Sequence, residues 1–275
     1  MELWERKNYL SDLPFIFNSY IREYDISKAN INILLWKKVL NQSQYEQLLI
    51  SPRDVRQYTI GMMQRNDEKV KKILEEGFCE CRKMFIQSNG LTDVDILSIK
   101  NDAIYVINKI PTYTQFDNIN FLNKNTYTSY MSLNKKHIEL YYVSDKIRGI
   151  EKIDVKGISD EKIEKHKDYF LDFIYFFFDM IQNDALENLI HSFQTFYQNY
   201  VNRKLDIGYY RTFNEISSFS LLWNRNLKWN LSYLIDSEEM MKQYPNNIDI
   251  SFNMNLLREM YQYLTMIYFS SKARK

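Results

Sequence analysis

Apolar and polar positions follow two periods along this chain, and one gives way to the other near its middle. Residues 94–108, VDILSIKNDAIYVIN, carry the clearest period of two. Val94, Ile96 and Ser98 alternate with Asp95, Leu97 and Ile99. Lys100-Asn101-Asp102 then forms a polar tip, and Ala103 to Ile107 supplies a second apolar run. This pattern predicts a β-hairpin, with Asp95 on a solvated face. Nearer the N-terminus, Phe15-Ile16-Phe17 and Tyr20-Ile21 read as strand, continued by Tyr24-Asp25-Ile26. Ala29, Ile31, Leu34 and Leu35 then begin a helical pattern.

Ser43 to Leu49 predicts a further helical piece, broken at Pro52. From Arg53 to about Gln87 apolar residues recur at three and four: Val55, Tyr58, Thr59 and Met62, then Val70, Ile73, Leu74 and Phe78. Such spacing lines one face of a helix. Asn89-Gly90 marks a turn. Strands are expected at 127–133, 137–143 and 150–155. After Gly157 the period becomes helical, with helices expected over 160–174, 181–200 and 256–269. The fold class is therefore α+β. Residues 1–158 form a mixed domain with an antiparallel sheet and inserted helices, and residues 159–275 a mostly helical region.

Hydrophobic residues make up 45% of the 275 positions, which calls for a packed core rather than disorder. The 22 tyrosines and 17 phenylalanines serve that core first, with base stacking a secondary use. The 36 basic residues balance 35 acidic ones, so no global basic field exists. A nucleic-acid binder of this composition would have to gather its cations along one groove. Cys79 and Cys81 have no third cysteine to join them in a zinc site and are expected as reduced thiols. His137, His166 and His191 lack ligand spacing. No glycine-rich phosphate loop or nucleophile elbow is present.

The run at 170–181, FLDFIYFFFDMI, is too short to span a bilayer and carries Asp172 and Asp179. It is expected as a buried helix, with Phe173, Phe176, Phe177 and Met180 as its core stripe. The N-terminus lacks an apolar run behind basic residues, so a signal peptide is not expected. The expected location is cytoplasmic, with no membrane partner.

Two carboxylates stand where chemistry could use them. Asp25 lies at a strand end just before a helix, and Asp102 lies on a hairpin tip. Each also has an ordinary reading, Asp25 as a helix cap and Asp102 as a turn residue. If the hairpin lies beside the strand, the two carboxylates repel unless a cation sits between them.

Against this background, EYDISKANINILL (23–35) resembles motif A of DNA polymerases, and SIKNDAIYVI (98–107) resembles motif C of the family B enzymes. RDVRQYTIGMMQRN (53–66) resembles motif B. EKIDVKGISDE (151–161) resembles the lysine-rich strand that leads from palm to thumb. The four occur in the order of a family B palm and cover roughly residues 15–165.

The resemblance implies a palm followed by a thumb-like helical region. It implies catalysis by Asp25 and Asp102 holding two Mg²⁺ ions, with Mn²⁺ as a substitute. Arg56 and Arg53 would face the incoming triphosphate, and Asn30 its ribose. Lys152 and Lys156 would touch the primer backbone, and the basic pair Lys135-Lys136 is a further candidate for nucleic-acid contact. The partners would be a DNA primer-template and nucleoside triphosphates, in phage or mobile-element replication. Use of Asn, Lys, Ile and Tyr suits an AT-rich genome of that kind.

Three departures qualify the likeness. Lys100 replaces the first aspartate of motif C. The serine-leucine-tyrosine-proline run of motif A is missing. Only 24 residues precede Asp25, so proofreading would need a separate exonuclease or replication subunit. Two other readings follow: a palm that has lost its chemistry and binds nucleic acid or protein, and a helical interaction protein in which the motif matches are chance.

Overall fold

A computed structural model describes residues 2–133, 138–145, 150–157, 172–183, 186–202, 204 and 251–273. These divide into two compact units: residues 1–13 with 20–126, and residues 14–19 with 127–275. The mixed helix and antiparallel-sheet architecture is the α+β class expected. Among the described residues no helix is long and apolar enough to cross a membrane.

The first unit is built on a six-stranded sheet in the order β1-β4-β5-β3-β7-β6. Its strands are β1 (Asn8–Leu10), β3 (Ile21–Ile26), β4 (Ile96–Lys100), β5 (Ala103–Val106), β6 (Gln115–Phe116) and β7 (Ile119–Tyr127). The predicted hairpin is β4–β5, closed by Asn101-Asp102 with Lys100 opposite Ala103. Asn101 takes φ 56°, a left-handed conformation that Asn tolerates better than most residues. Asp95 is not on a solvated face. It is buried and accepts from the Thr92 amide and hydroxyl, with Lys109 Nζ at 3.0 Å.

Four α-helices and a short 3-10 helix, Leu3–Glu5, complete this unit; the α-helices are α1 (Ala29–Trp36), α2 (Gln42–Ile50), α3 (Arg53–Asn66) and α4 (Glu68–Ser88). The long helical pattern from Arg53 is thus two helices. The break is Asp67, whose extended backbone starts α4 and whose carboxylate accepts from the Lys69 amide as an N-cap. Helix α4 meets α1 at Gly77, where a Cβ would overlap the Ile33 side chain. Ile33, Leu34, Leu74 and Phe85 join Ile96, Ile104 and Phe121 in one apolar core.

The second unit holds an antiparallel four-stranded sheet, β10-β9-β8-β2. Its strands are β2 (Phe15–Ile16), β8 (Ser129–Leu133), β9 (Ile138–Asp145) and β10 (Ile150–Lys156). Among the described residues three helices accompany them: α5 (Asp172–Gln182), α6 (Leu186–Val201) and α7 (Ser251–Ala273). Met131, Leu133, Leu140 and Tyr142 of the strands share a core with Phe177, Phe178, Leu189, Phe193, Met260 and Leu264 of the helices. Tyr142 stacks on Phe178 at 5.0 Å.

That core moves the boundary expected at residue 158. Strands β8 to β10 bury their apolar face against helices that follow them, so the division falls at Thr126/Tyr127. The core stripe of α5 also differs from expectation. It runs through Ile174, Phe177, Phe178 and Ile181, while Phe176 is exposed.

Candidate functional site

Strand β3 reads IREYDI, and its alternation sorts two chemistries onto two faces. Tyr24 and Ile26 enter the apolar core of the first unit. Glu23 and Asp25 point the other way. Across the antiparallel pairing with β5, Glu23 stands opposite Tyr105 and Asp25 opposite Ala103. Asp102 immediately precedes Ala103, so this register brings the hairpin tip to the end of β3.

The two aspartates sense each other. Burial pushes the Asp102 carboxyl up to about 6, and the negative charge of Asp25 and a hydrogen bond to it push the same way. The backbone amide of Asp102 and the Lys124 ammonium act in the opposite sense. Lys124 comes from β7, with its Nζ 3.2 Å from Asp25 Oδ2. That hydrogen bond is the largest cause holding the ammonium above its ordinary range. Next along β3, Glu23 is buried. It accepts from the Tyr105 hydroxyl at 3.0 Å and from Asn125 Nδ2 at 2.5 Å.

A cavity of about 230 Å³ opens beside this pair. Asp102, Asn30, Arg53 and Arg56 all line it, together with Lys28 and Gln57. Asn30 is in the first turn of α1, just after Lys28 in a left-handed conformation. Arg53 is exposed at the start of α3. Arg56 Nη1 lies 3.5 Å from the Leu48 carbonyl and 3.4 Å from that of Ser51, both long for hydrogen bonds. Five residues singled out from sequence are therefore gathered at one place: Asp25, Asp102, Asn30, Arg53 and Arg56.

The remaining candidates lie elsewhere. Lys152 and Lys156 are on β10 of the second unit, and Lys152 Nζ pairs with Asp154 Oδ1 at 2.7 Å. Lys135 and Lys136 fall outside the described residues. Lys100 ends β4 opposite Ala103 and Asn8, half-buried.

Sequence reasoning missed Lys124 and Arg82. Arg82 is only 3% exposed. Its Nε donates to the Trp4 carbonyl and its Nη1 to the Asn101 carbonyl, each at 2.9 Å, which ties the hairpin tip to α4. The signal was available: Leu74, Phe78 and Arg82 follow one another at four-residue steps, so a cation sits in line with an apolar stripe.

Among the described residues no cluster of three or more His, Cys, Asp or Glu is arranged to hold a metal. The carboxylate pair is a hard-oxygen donor set. Magnesium is commonly held by one or two carboxylates, with substrate phosphates and water completing its shell. The residues present fit that ion.

The family model described as Bacteriophage PBS1 gene 130 protein matches residues 1–266. No curated protein matches the chain.

Proposed function

The chain belongs to the Bacteriophage PBS1 gene 130 protein family, and for this member we propose a nucleic-acid polymerase core that adds nucleotides to a 3′-hydroxyl. The observation that carries the reading is the register of β3 against β5. It sets Asp25 beside Asp102 at the edge of a cavity that also presents Arg53 and Arg56.

In this reading Asp25 and Asp102 would hold Mg²⁺ or Mn²⁺. Bound divalent cations supply charge neutralisation for an in-line phosphoryl displacement. Arg53 and Arg56 present donors to the triphosphate, a role suited to the planar guanidinium. Asn30 stands where a ribose would lie. Lys152 and Lys156 would meet the primer backbone, and Lys135 and Lys136 are further candidates for nucleic-acid contact. The substrates are a DNA primer-template and nucleoside triphosphates in phage replication.

Primer extension by the purified protein with Mg²⁺ or Mn²⁺ tests this, using dNTPs and rNTPs in parallel. Wild type should extend the primer, and Asp25→Asn and Asp102→Asn should each abolish extension. Extension at the wild-type rate by both variants would sink the reading. The nucleotide preferred tests the role of Asn30.

One contact favours a second reading. Lys124 already neutralises Asp25, as a resident cation would in a palm that has kept its shape and lost its chemistry. Primer-template binding without extension under either metal is the outcome that selects this binding module.

A further inference from the structure

A second cavity in the first unit, of about 620 Å³, touches the candidate site without belonging to it. It shares Asn30 with the smaller cavity and reaches Asn101, the neighbour of Asp102. Leu74 and Phe78 of α4 provide apolar wall, and Lys7, Lys71 and Arg82 provide positive charge.

Arg82 is the informative member. Its guanidinium carries five N–H donors. The described structure uses two of them, on the carbonyls of Trp4 and Asn101, and Nη2 donates to no described residue. No carboxylate among the described residues forms an ion pair with it. A guanidinium this buried, with unspent donors, has two carbonyl dipoles and the through-space charge of Asp102 beside it but no paired anion, and it is costly unless an anion compensates it. Two carboxylates also line the cavity. Glu5 is engaged at its Oε2 by the Glu2 amide, and Glu75 is exposed on α4. Three cations against these two leave the wall net positive.

We propose that this cavity is a binding site for a phosphate group, received by Arg82 with Lys7 and Lys71 at its rim. A guanidinium edge matches phosphate geometry better than it matches any neutral ligand. The volume exceeds what inorganic phosphate needs and suits a nucleotide, within the ~300–1,000 Å³ usual for small-molecule sites. The amides of Asn30 and Gln64, with Phe78, give a base something to bond and to lie against. Because Arg82 also holds the Asn101 carbonyl, an occupant would steady the hairpin tip that carries Asp102. The site does not depend on the polymerase reading, since binding can be measured with no primer and no turnover.

Cys79 lines the same cavity and is partly exposed, whereas Cys81 is buried with its thiol pushed up to about 12 by that burial. Cys79 is therefore a built-in reporter for a thiol reagent such as DTNB. The expected result is reaction at Cys79 slowed at least tenfold by saturating inorganic phosphate or ATP, and not by adenosine. Slowing by phosphate alone identifies the free ion as sufficient. Slowing by ATP but not phosphate identifies a nucleotide. Protection by adenosine equal to that by ATP, or no protection by any of the three, overturns the proposal.

The second arm uses exposed rim residues that leave the core intact. Calorimetric affinity for whichever ligand protects Cys79 should fall at least tenfold in Lys7→Glu/Lys71→Glu. It should hold in Lys69→Glu/Lys72→Glu, a charge-matched control on exposed lysines of α4 that line neither cavity. Unchanged affinity in Lys7→Glu/Lys71→Glu, or loss in the control pair alone, refutes the assignment.

Discussion

The ammonium of Lys124 faces the carboxylate of Asp25 across 3.2 Å, linking β7 to the end of β3. This contact puts a protein cation where the proposed chemistry needs a metal, and the two compete for one carboxylate. Lys124→Met should let Mg²⁺ act at lower concentration. A thermal-shift titration with Mg²⁺ checks this, and a midpoint equal to wild type would show that Lys124 does not compete. The lysine is more than half exposed, so the variant's own stability should change by less than ~1 kcal/mol.

Asp102 gives a pH prediction with a definite sign. Its carboxyl sits at about 6 in the folded chain against an ordinary value of 3.8. Between those values the folded state binds the proton more tightly than the unfolded state does. This group's contribution to stability therefore falls as pH rises from about 4 to about 6, then levels off. Asp102→Asn removes the buried charge. Its melting temperature should match wild type near pH 4 and exceed it above pH 6. Equal differences at both pH values would contradict this.

Gly77 predicts a packing defect. Glycine normally costs a helix ~1 kcal/mol relative to alanine, so the exchange should help on propensity alone. Here the added methyl would enter the Ile33 side chain. Gly77→Ala should instead destabilise by about 1–3 kcal/mol, the usual cost of overpacking. Urea denaturation measures it. Adding Ile33→Ala makes room, so the double variant should be more stable than the sum of the two single losses.

Arg53 and Arg56 line the same cavity but differ in attachment. Arg53 is exposed and bonds to no described residue. Arg53→Ala should leave stability within ~0.5 kcal/mol, as most surface changes do, while raising KM for the nucleotide. Arg56→Ala should raise KM too and also loosen the α2–α3 junction, where its contacts fall on Leu48 and Ser51. Steady-state kinetics beside thermal melts separates the two effects.

Local patterns in this sequence were legible where apolar runs are punctuated by turn residues. The hairpin at 94–108, whose strands β4 and β5 are buried on both faces, announced itself by two apolar runs around a polar tip, and Asp102 with it. Strand β7 did not. Its middle, Leu122 to Lys124, is exposed, and only Ile119 and Phe121 alternate clearly before it. Lys124 was hidden in that polar stretch, and its importance comes from sheet order rather than from its neighbours in sequence. The domain boundary was hidden for a related reason. Which helices cover β8 to β10 depends on pairings between distant residues, and periodicity carries no information about these. Asp95 misled because a carboxylate beside a turn usually faces water; here Thr92 and Lys109 supply what water would.

The pairing of Phe15 with Met131 has a consequence for synthesis on the ribosome. Strand β2 is made 131 − 15 = 116 residues ahead of its partner β8, an interval of about 6–23 s at typical elongation rates of ~5–20 residues per second. Through that interval Phe15, Ile16 and Phe17 form an apolar segment with an open edge and no sheet to join. Nascent-chain chaperones bind such segments, so expression of this protein should be more sensitive to their depletion than that of a chain whose early strands pair with near neighbours.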